Sequence, residues 1–92
     1  MSRKFSSDNV VVTSGVNNWI QEDPAAEKFV DDALMAHFAG QWGEICEDDK
    51  LENEAALTEG GRLMSVFIDN KKIWIITEHD RSVTTVLFPD EY

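Results

Sequence analysis

Residues 63–88, LMSVFIDNKKIWIITEHDRSVTTVLF, decide the fold. Runs rich in β-branched and aromatic residues are broken twice by turn formers, which predicts a three-stranded antiparallel meander. Its strands are Leu63 to Ile68, Lys72 to Glu78 and Val83 to Phe88. Asp69-Asn70 tolerates positive φ and suits a tight hairpin, and His79-Asp80-Arg81 forms the second turn. Pro89 stops the last strand. On the middle strand Ile73, Ile75 and Thr77 share one face, with Trp74, Ile76 and Glu78 on the other. Both faces are largely apolar, as in a central strand with helices on one side and further cover on the other.

Working outward, Val10-Val11-Val12-Thr13 reads as a short strand ended by Ser14-Gly15. Val16 to Gln21 reads as a helical turn with Trp19 and Ile20 inward. Residues 24–39 are the best-marked helix: Asp23 caps it, Pro24 suits its first position, and Gly40 suits the site after its end. Ala26, Phe29, Val30, Ala33, Leu34, His37 and Phe38 give it one apolar stripe. A third helix is expected from about Glu47 to Thr58, stopping at Gly60-Gly61. Its inward stripe is thin: Leu51, Ala55 and Leu57, with Ile45 just ahead. The expectation is an α+β fold, two to three acidic helices packed on a small antiparallel sheet. That sheet is the C-terminal meander plus a short N-terminal strand, with Phe29, Leu34, Phe38, Val66, Ile75 and Val86 in the core. Residues 1–8 are expected to be a frayed lead-in and 9–92 a single domain.

Charge is distributed unevenly along the chain. Between Glu22 and Glu59 stand twelve carboxylates and two lysines, so this segment alone accounts for the formal net charge of −10. The rest of the chain is balanced. A confined acidic field selects cationic partners and disfavours anionic lipid and nucleic-acid phosphate. At 92 residues and 42% hydrophobic composition the chain holds a small core, unlike an acidic disordered tail. Its one cysteine, Cys46, excludes an internal disulfide and a multi-cysteine zinc site. With no apolar leader behind Met1 to Asp8 and no run long enough to span a bilayer, a cytoplasmic setting is expected.

No constellation marks an enzyme. His79-Asp80 beside Glu78 invites a small-hydrolase reading, but no oriented nucleophile or oxyanion site accompanies it. The plainer reading is a turn in which Asp80 accepts backbone N–H groups. His37 lies on an apolar helix face and reads as a buried, hydrogen-bonded histidine. Cys46 sits among Glu44, Glu47, Asp48 and Asp49, which oppose thiolate formation. The run Glu47 to Glu54 lacks the spacing of a calcium loop. Neither cofactor nor metal is expected.

The acidic segment invites a function and a plainer explanation. Glu27/Asp31 and Asp48/Glu52 are like-charge pairs four residues apart, each costing about 0.2–0.5 kcal/mol on an exposed helix. Solubility explains them. So does a surface of carboxylates replacing phosphates in a Lys/Arg groove, using Glu27, Asp31, Asp32, Glu44, Glu47, Asp48, Asp49, Glu52, Glu54 and Glu59. Trp42, if exposed beside them, would be the aromatic anchor; if buried, it would hold its loop.

From Val10 to Tyr92 the chain resembles a family of small, largely uncharacterised proteins of bacterial plasmids, phages and integrative elements. The resemblance rests on Val10 to Gly15, His37 to Glu44, Cys46 to Lys50 with Asn53 and Leu57, and Arg62 to Ser65. It is most extensive in Lys72 to Tyr92. His79 departs from the pattern, which has a small or apolar residue there. The family supplies no catalytic residues. Its setting implies dealings with host defence or plasmid maintenance, and the chain looks like an anti-CRISPR protein directed at a type I (I-C) surveillance complex. The expectation is a monomeric protein in the host cytoplasm, binding the basic nucleic-acid-handling surface of such a complex and not nucleic acid itself. Its alternative is a plasmid or phage accessory protein with merely solubilising acid.

Overall fold

A computed structural model describes residues 3–92. The elements in chain order are β1 (Asn9–Val12), α1 (Ser14–Glu22), α2 (Pro24–Phe38), α3 (Glu47–Glu59), β2 (Leu63–Asp69), β3 (Lys71–Thr77) and β4 (Val83–Leu87), followed by a 3-10 turn, Pro89–Glu91. The fold is α+β, with three helices around one four-stranded sheet ordered β1-β4-β3-β2. The meander forms as expected. β1 joins it in parallel, Asn9 opposite Val83 and Val12 opposite Val86, so the sheet is mixed and not wholly antiparallel. The β2–β3 hairpin turns at Asn70, as expected, without a positive φ at Asp69 or Asn70; Arg81, in the second turn, has one, at 63°.

Ser14 and Gly15 do not end a strand. They open α1, because Thr13 accepts a hydrogen bond from the Val16 N–H and caps the helix. Glu91 completes this corner: its carboxylate accepts from the Thr13 hydroxyl at 2.6 Å and the Phe88 N–H at 2.8 Å. These bonds, the Thr13 hydroxyl's first, hold the Glu91 pKa below its ordinary value. A side chain at Gly15 would collide with that carboxylate, 2.6 Å from where its Cβ would lie.

α2 begins at the Asp23 cap, which accepts from the Ala25 N–H at 3.0 Å, with Pro24 leading. Its buried stripe, Ala26, Val30, Ala33, His37 and Phe38, is the one that helical periodicity predicts. Val16, Val30, Ala33, Ile73, Ile75 and Val86 form the main core. Of the six expected core residues, Phe38, Val66, Ile75 and Val86 are buried, while Phe29 and Leu34 are partly covered at the rim.

Within residues 3–8 most side chains are exposed, but Phe5 and Ser7 are partly covered. The Lys4 N–H donates to the Phe38 carbonyl at 2.7 Å, and Phe5 stacks on Trp42 and meets His37 edge-on. The expectation for Met1 and Ser2 lies outside the described residues.

Candidate functional site

α3 and the loop before it carry most of the expected site. The loop is tied to the edge strand β2: the Val66 N–H donates to the Trp42 carbonyl at 3.2 Å, and the Glu44 N–H to the Val66 carbonyl at 2.7 Å. Gly43 lies between, with φ 72°, and any Cβ there would stand 2.0 Å from the Val66 carbonyl oxygen. Only glycine fits so close an approach. Farther along β2, the Asn53 side chain of α3 binds Met64 like an added strand, donating to its carbonyl at 2.7 Å and accepting from its N–H at 3.2 Å. Loop and helix together therefore cover an edge that would otherwise pair with another chain.

The inward phase of α3 is not the expected one. Leu51 is 67% exposed and Ala55 is exposed, whereas Asn53 and Ala56 are buried, with Leu57 partly covered. The helix turns a polar side chain to the fold because that side chain satisfies backbone groups, which hydrophobic periodicity does not register. Two further polar ties hold it. The Trp42 indole donates to Glu54 at 2.8 Å, and Arg81 donates to the Ala56 carbonyl at 3.0 Å and the Gly61 carbonyl at 2.6 Å. Arg81 thus serves the C-terminal end of α3, where a cation is favoured.

Trp42 is buried, 4% exposed, and lies in a small core with Ala56 and Leu63. It is not the exposed anchor that a partner would meet. The exposed large apolar side chain amid the α3 acids is Leu51.

Glu27, Asp31, Asp32, Glu44, Glu47, Asp48, Asp49, Glu52, Glu54 and Glu59 are all exposed. Asp32 pairs with Lys28 at 2.9 Å, Glu47 with Lys50 at 3.5 Å, and Glu54 is held by Trp42. The other seven make no side-chain ion pair or hydrogen bond among the described residues. Five of them, Glu44, Asp48, Asp49, Glu52 and Glu59, belong to α3 and its approach; Glu27 and Asp31 belong to α2. The acidic segment is continuous in sequence, but its two helices attach to different parts of the sheet. α2 lies over the face bearing Ile73 and Ile75, and α3 clasps the β2 edge.

His37 is wholly buried and bonded at both ring nitrogens, Nδ1 to the Ser65 hydroxyl and Nε2 to the Thr77 hydroxyl at 2.9 Å. Thr77 shares a hydrogen bond with Thr84 at 2.7 Å, and Thr84 donates to Ser7 at 2.8 Å. Burial, aided by the Arg81 charge, lowers the His37 pKa from 6.5 to about 3. The imidazole is therefore neutral under physiological conditions. Ser65 and Thr77 are wholly buried with it, so this polar chain fixes the core and is closed to substrate.

His79 and Asp80 are exposed, and no hydrogen bond joins their side chains among the described residues. Asp80 accepts from the Ser82 N–H at 3.0 Å; bonding from Ser82 keeps its pKa below the ordinary value. Glu78 faces Arg62 at 3.5 Å. No side-chain hydrogen bond or ion pair joins Glu78, His79 and Asp80 to one another among the described residues. No cluster of three or more His, Cys, Asp or Glu side chains able to hold a metal is found among the described residues. Nor is any helix among them long and apolar enough to cross a membrane.

No protein-family model, curated protein or solved structure matches the chain.

Proposed function

We propose that this is an acidic interaction protein that occupies a basic nucleic-acid-binding groove on a protein complex, its carboxylates replacing phosphates. The observation that carries this is the state of the acids. Seven of the ten candidate carboxylates are exposed and make no side-chain ion pair or hydrogen bond among the described residues, and five of those gather on α3 and its approach. Carboxylates a helical turn apart lie about 5–6 Å from one another, close enough to engage neighbouring cations of such a groove. With the resemblance to mobile-element proteins, the reading extends to an inhibitor of host defence in the bacterial cytoplasm, with a type I (I-C) CRISPR surveillance complex as candidate partner.

Competition tests it. Labelled target DNA bound to that complex is expected to be displaced as the protein is added. Displacement should weaken steeply as salt shortens the Debye length to about 8 Å. A variant carrying Asp48→Asn, Glu52→Gln and Glu59→Gln that displaced DNA as well as the parent would overturn the reading.

A second reading, an accessory protein with solubilising acid, draws on Leu51, 67% exposed in the middle of α3. It expects complex formation that is insensitive to salt and lost in Leu51→Ala.

A further inference from the structure

Between α3 and β2 lies a groove of about 350 Å³. That is near the small end of ligand pockets, which run from about 300 to 1,000 Å³. Ile45, Met64 and Val66 give it an apolar lining, and Glu44, Asp49 and Glu52 contribute carboxylates. All three carboxylates are among those without a partner. Asn53 also lines the groove, but its amide is spent on the Met64 backbone. Arg62 is the one cation in the lining among the described residues, and it is engaged: it donates to the Tyr92 hydroxyl at 2.7 Å and faces Glu78 at 3.5 Å.

An apolar channel edged by unsatisfied carboxylates complements a side chain with an aliphatic stem and a cationic head. A metal ion would make no use of Ile45, Met64 and Val66, and an apolar ligand would leave the carboxylates unmatched. Asp49 and Glu52, three residues apart, project from one side of α3. Two carboxylates so placed suit the planar fork of a guanidinium better than the compact, strongly hydrated ammonium of lysine.

We propose that this groove receives an arginine side chain of the partner protein, its stem against Ile45, Met64 and Val66 and its guanidinium between Asp49 and Glu52. The inference rests on the acidic-surface function above and locates its centre. Phosphates offer an arginine nothing for its stem. A groove that binds stem and head together would hold the residue against nucleic acid with part of its affinity independent of salt.

The probe is a capped Gly-Arg-Gly-Arg-Gly peptide, titrated into isotopically labelled full-length protein at low ionic strength and followed by amide chemical shifts. Shifts centred on Glu44 to Cys46, Asp49 to Asn53 and Met64 to Val66 are expected. Cys46 lines the groove with an exposed thiol, so its reaction with a small maleimide should slow in step with peptide binding. Asp49→Asn with Glu52→Gln should weaken the peptide about tenfold, as expected for the loss of charge-assisted bonds. Asp69→Asn, on the far hairpin, should change it less than about twofold. The matching lysine peptide should bind more weakly. Shifts spread evenly along α2 and α3, or equal binding of the lysine peptide, would overturn the groove while leaving the acidic surface intact. Localised peptide binding without displacement of nucleic acid from the surveillance complex would support the groove and overturn the wider function.

Discussion

α2 and α3 are of similar length and both present acid to solvent, yet they are held by different forces. α2 buries Ala26, Val30, Ala33, His37 and Phe38 against the central strands. α3 buries little beyond Asn53 and Ala56, and is fastened by directed bonds to Met64, Trp42 and Arg81. Apolar attachment tolerates small shifts and requires a wide stripe. Directed polar attachment needs few residues and leaves the remaining face free. That economy is how α3 carries Asp48, Asp49, Glu52 and Glu59 unpaired. Its cost is a helix with less burial to resist local opening.

The severest test of this contrast strikes the core beneath α2. Ile75→Asp puts an unpaired charge where a wholly buried side chain sat, beyond the loss of about 1.5–3 kcal/mol of burial. No cooperative thermal transition should remain by circular dichroism. A variant melting like the parent would disprove the central-strand assignment and the apolar anchoring of α2 with it.

A pH series comes next. In the unfolded chain His37 takes up a proton near pH 6.5, whereas in the fold it resists until about pH 3. The unfolded state therefore binds the proton first. The stability due to neutral His37 is fully present above about pH 6.5 and declines by about 1.4 kcal/mol per pH unit on acidification towards 3. Chemical denaturation from pH 7 to 4 should show that slope in the parent and lose it in His37→Leu. The variant itself should be weaker by about 1–3 kcal/mol because Ser65 and Thr77 lose a partner. An unchanged slope would remove His37 from the account.

Cutting the ties of α3 should have a smaller and more local effect. Asn53→Ala orphans the Met64 backbone groups, at a cost of about 1–3 kcal/mol. Arg81→Ala removes the cation from the Ala56 and Gly61 carbonyls. In both, hydrogen exchange should quicken across residues 47–59 and remain slow in α2. Equal acceleration in the two helices would erase the distinction drawn between them.

The smallest effect has the opposite sign. Glu52→Gln, beyond the first turn of α3, relieves repulsion with Asp48 and should raise stability by about 0.2–0.5 kcal/mol, seen as a small rise in the denaturation midpoint. A loss of stability would mean that this carboxylate serves the fold.

Much of the fold is readable from local patterns. The stripe of α2, its Asp23-Pro24 start and the alternation of β3 each reflect interactions within an element or with one flat partner. What is not readable depends on distant partners. The parallel addition of β1 to β4 depends on a register that no nearby residue specifies. The inward turn of Asn53 defeats a rule that sends polar side chains outward, although an asparagine amid glutamates on a thin-striped helix was the available signal. Arg81 looked like one half of a balanced surface and proves to be the fastening of α3. The acidic residues of the site were legible as charge, but Trp42 was not legible as buried, because loop aromatics face either way. The segment from Lys72 to Tyr92 carries many of the contacts that hold the fold. Ile73, Ile75 and Val86 fill the core, Glu91 accepts from Thr13, the cap of α1, and Tyr92 packs on Trp74 and accepts from Arg62.

The pairing of β1 with β4 also bears on how the molecule comes into being. These strands lie at opposite ends of the described chain, so the sheet cannot close until β4 has left the ribosome. The β2–β3 hairpin closes a short loop and can form early, whereas β1 must wait with α1 and α2 lacking part of their support. During that interval the acidic segment is exposed on an unfinished chain, and its self-repulsion keeps the waiting strands apart from those of neighbouring nascent copies.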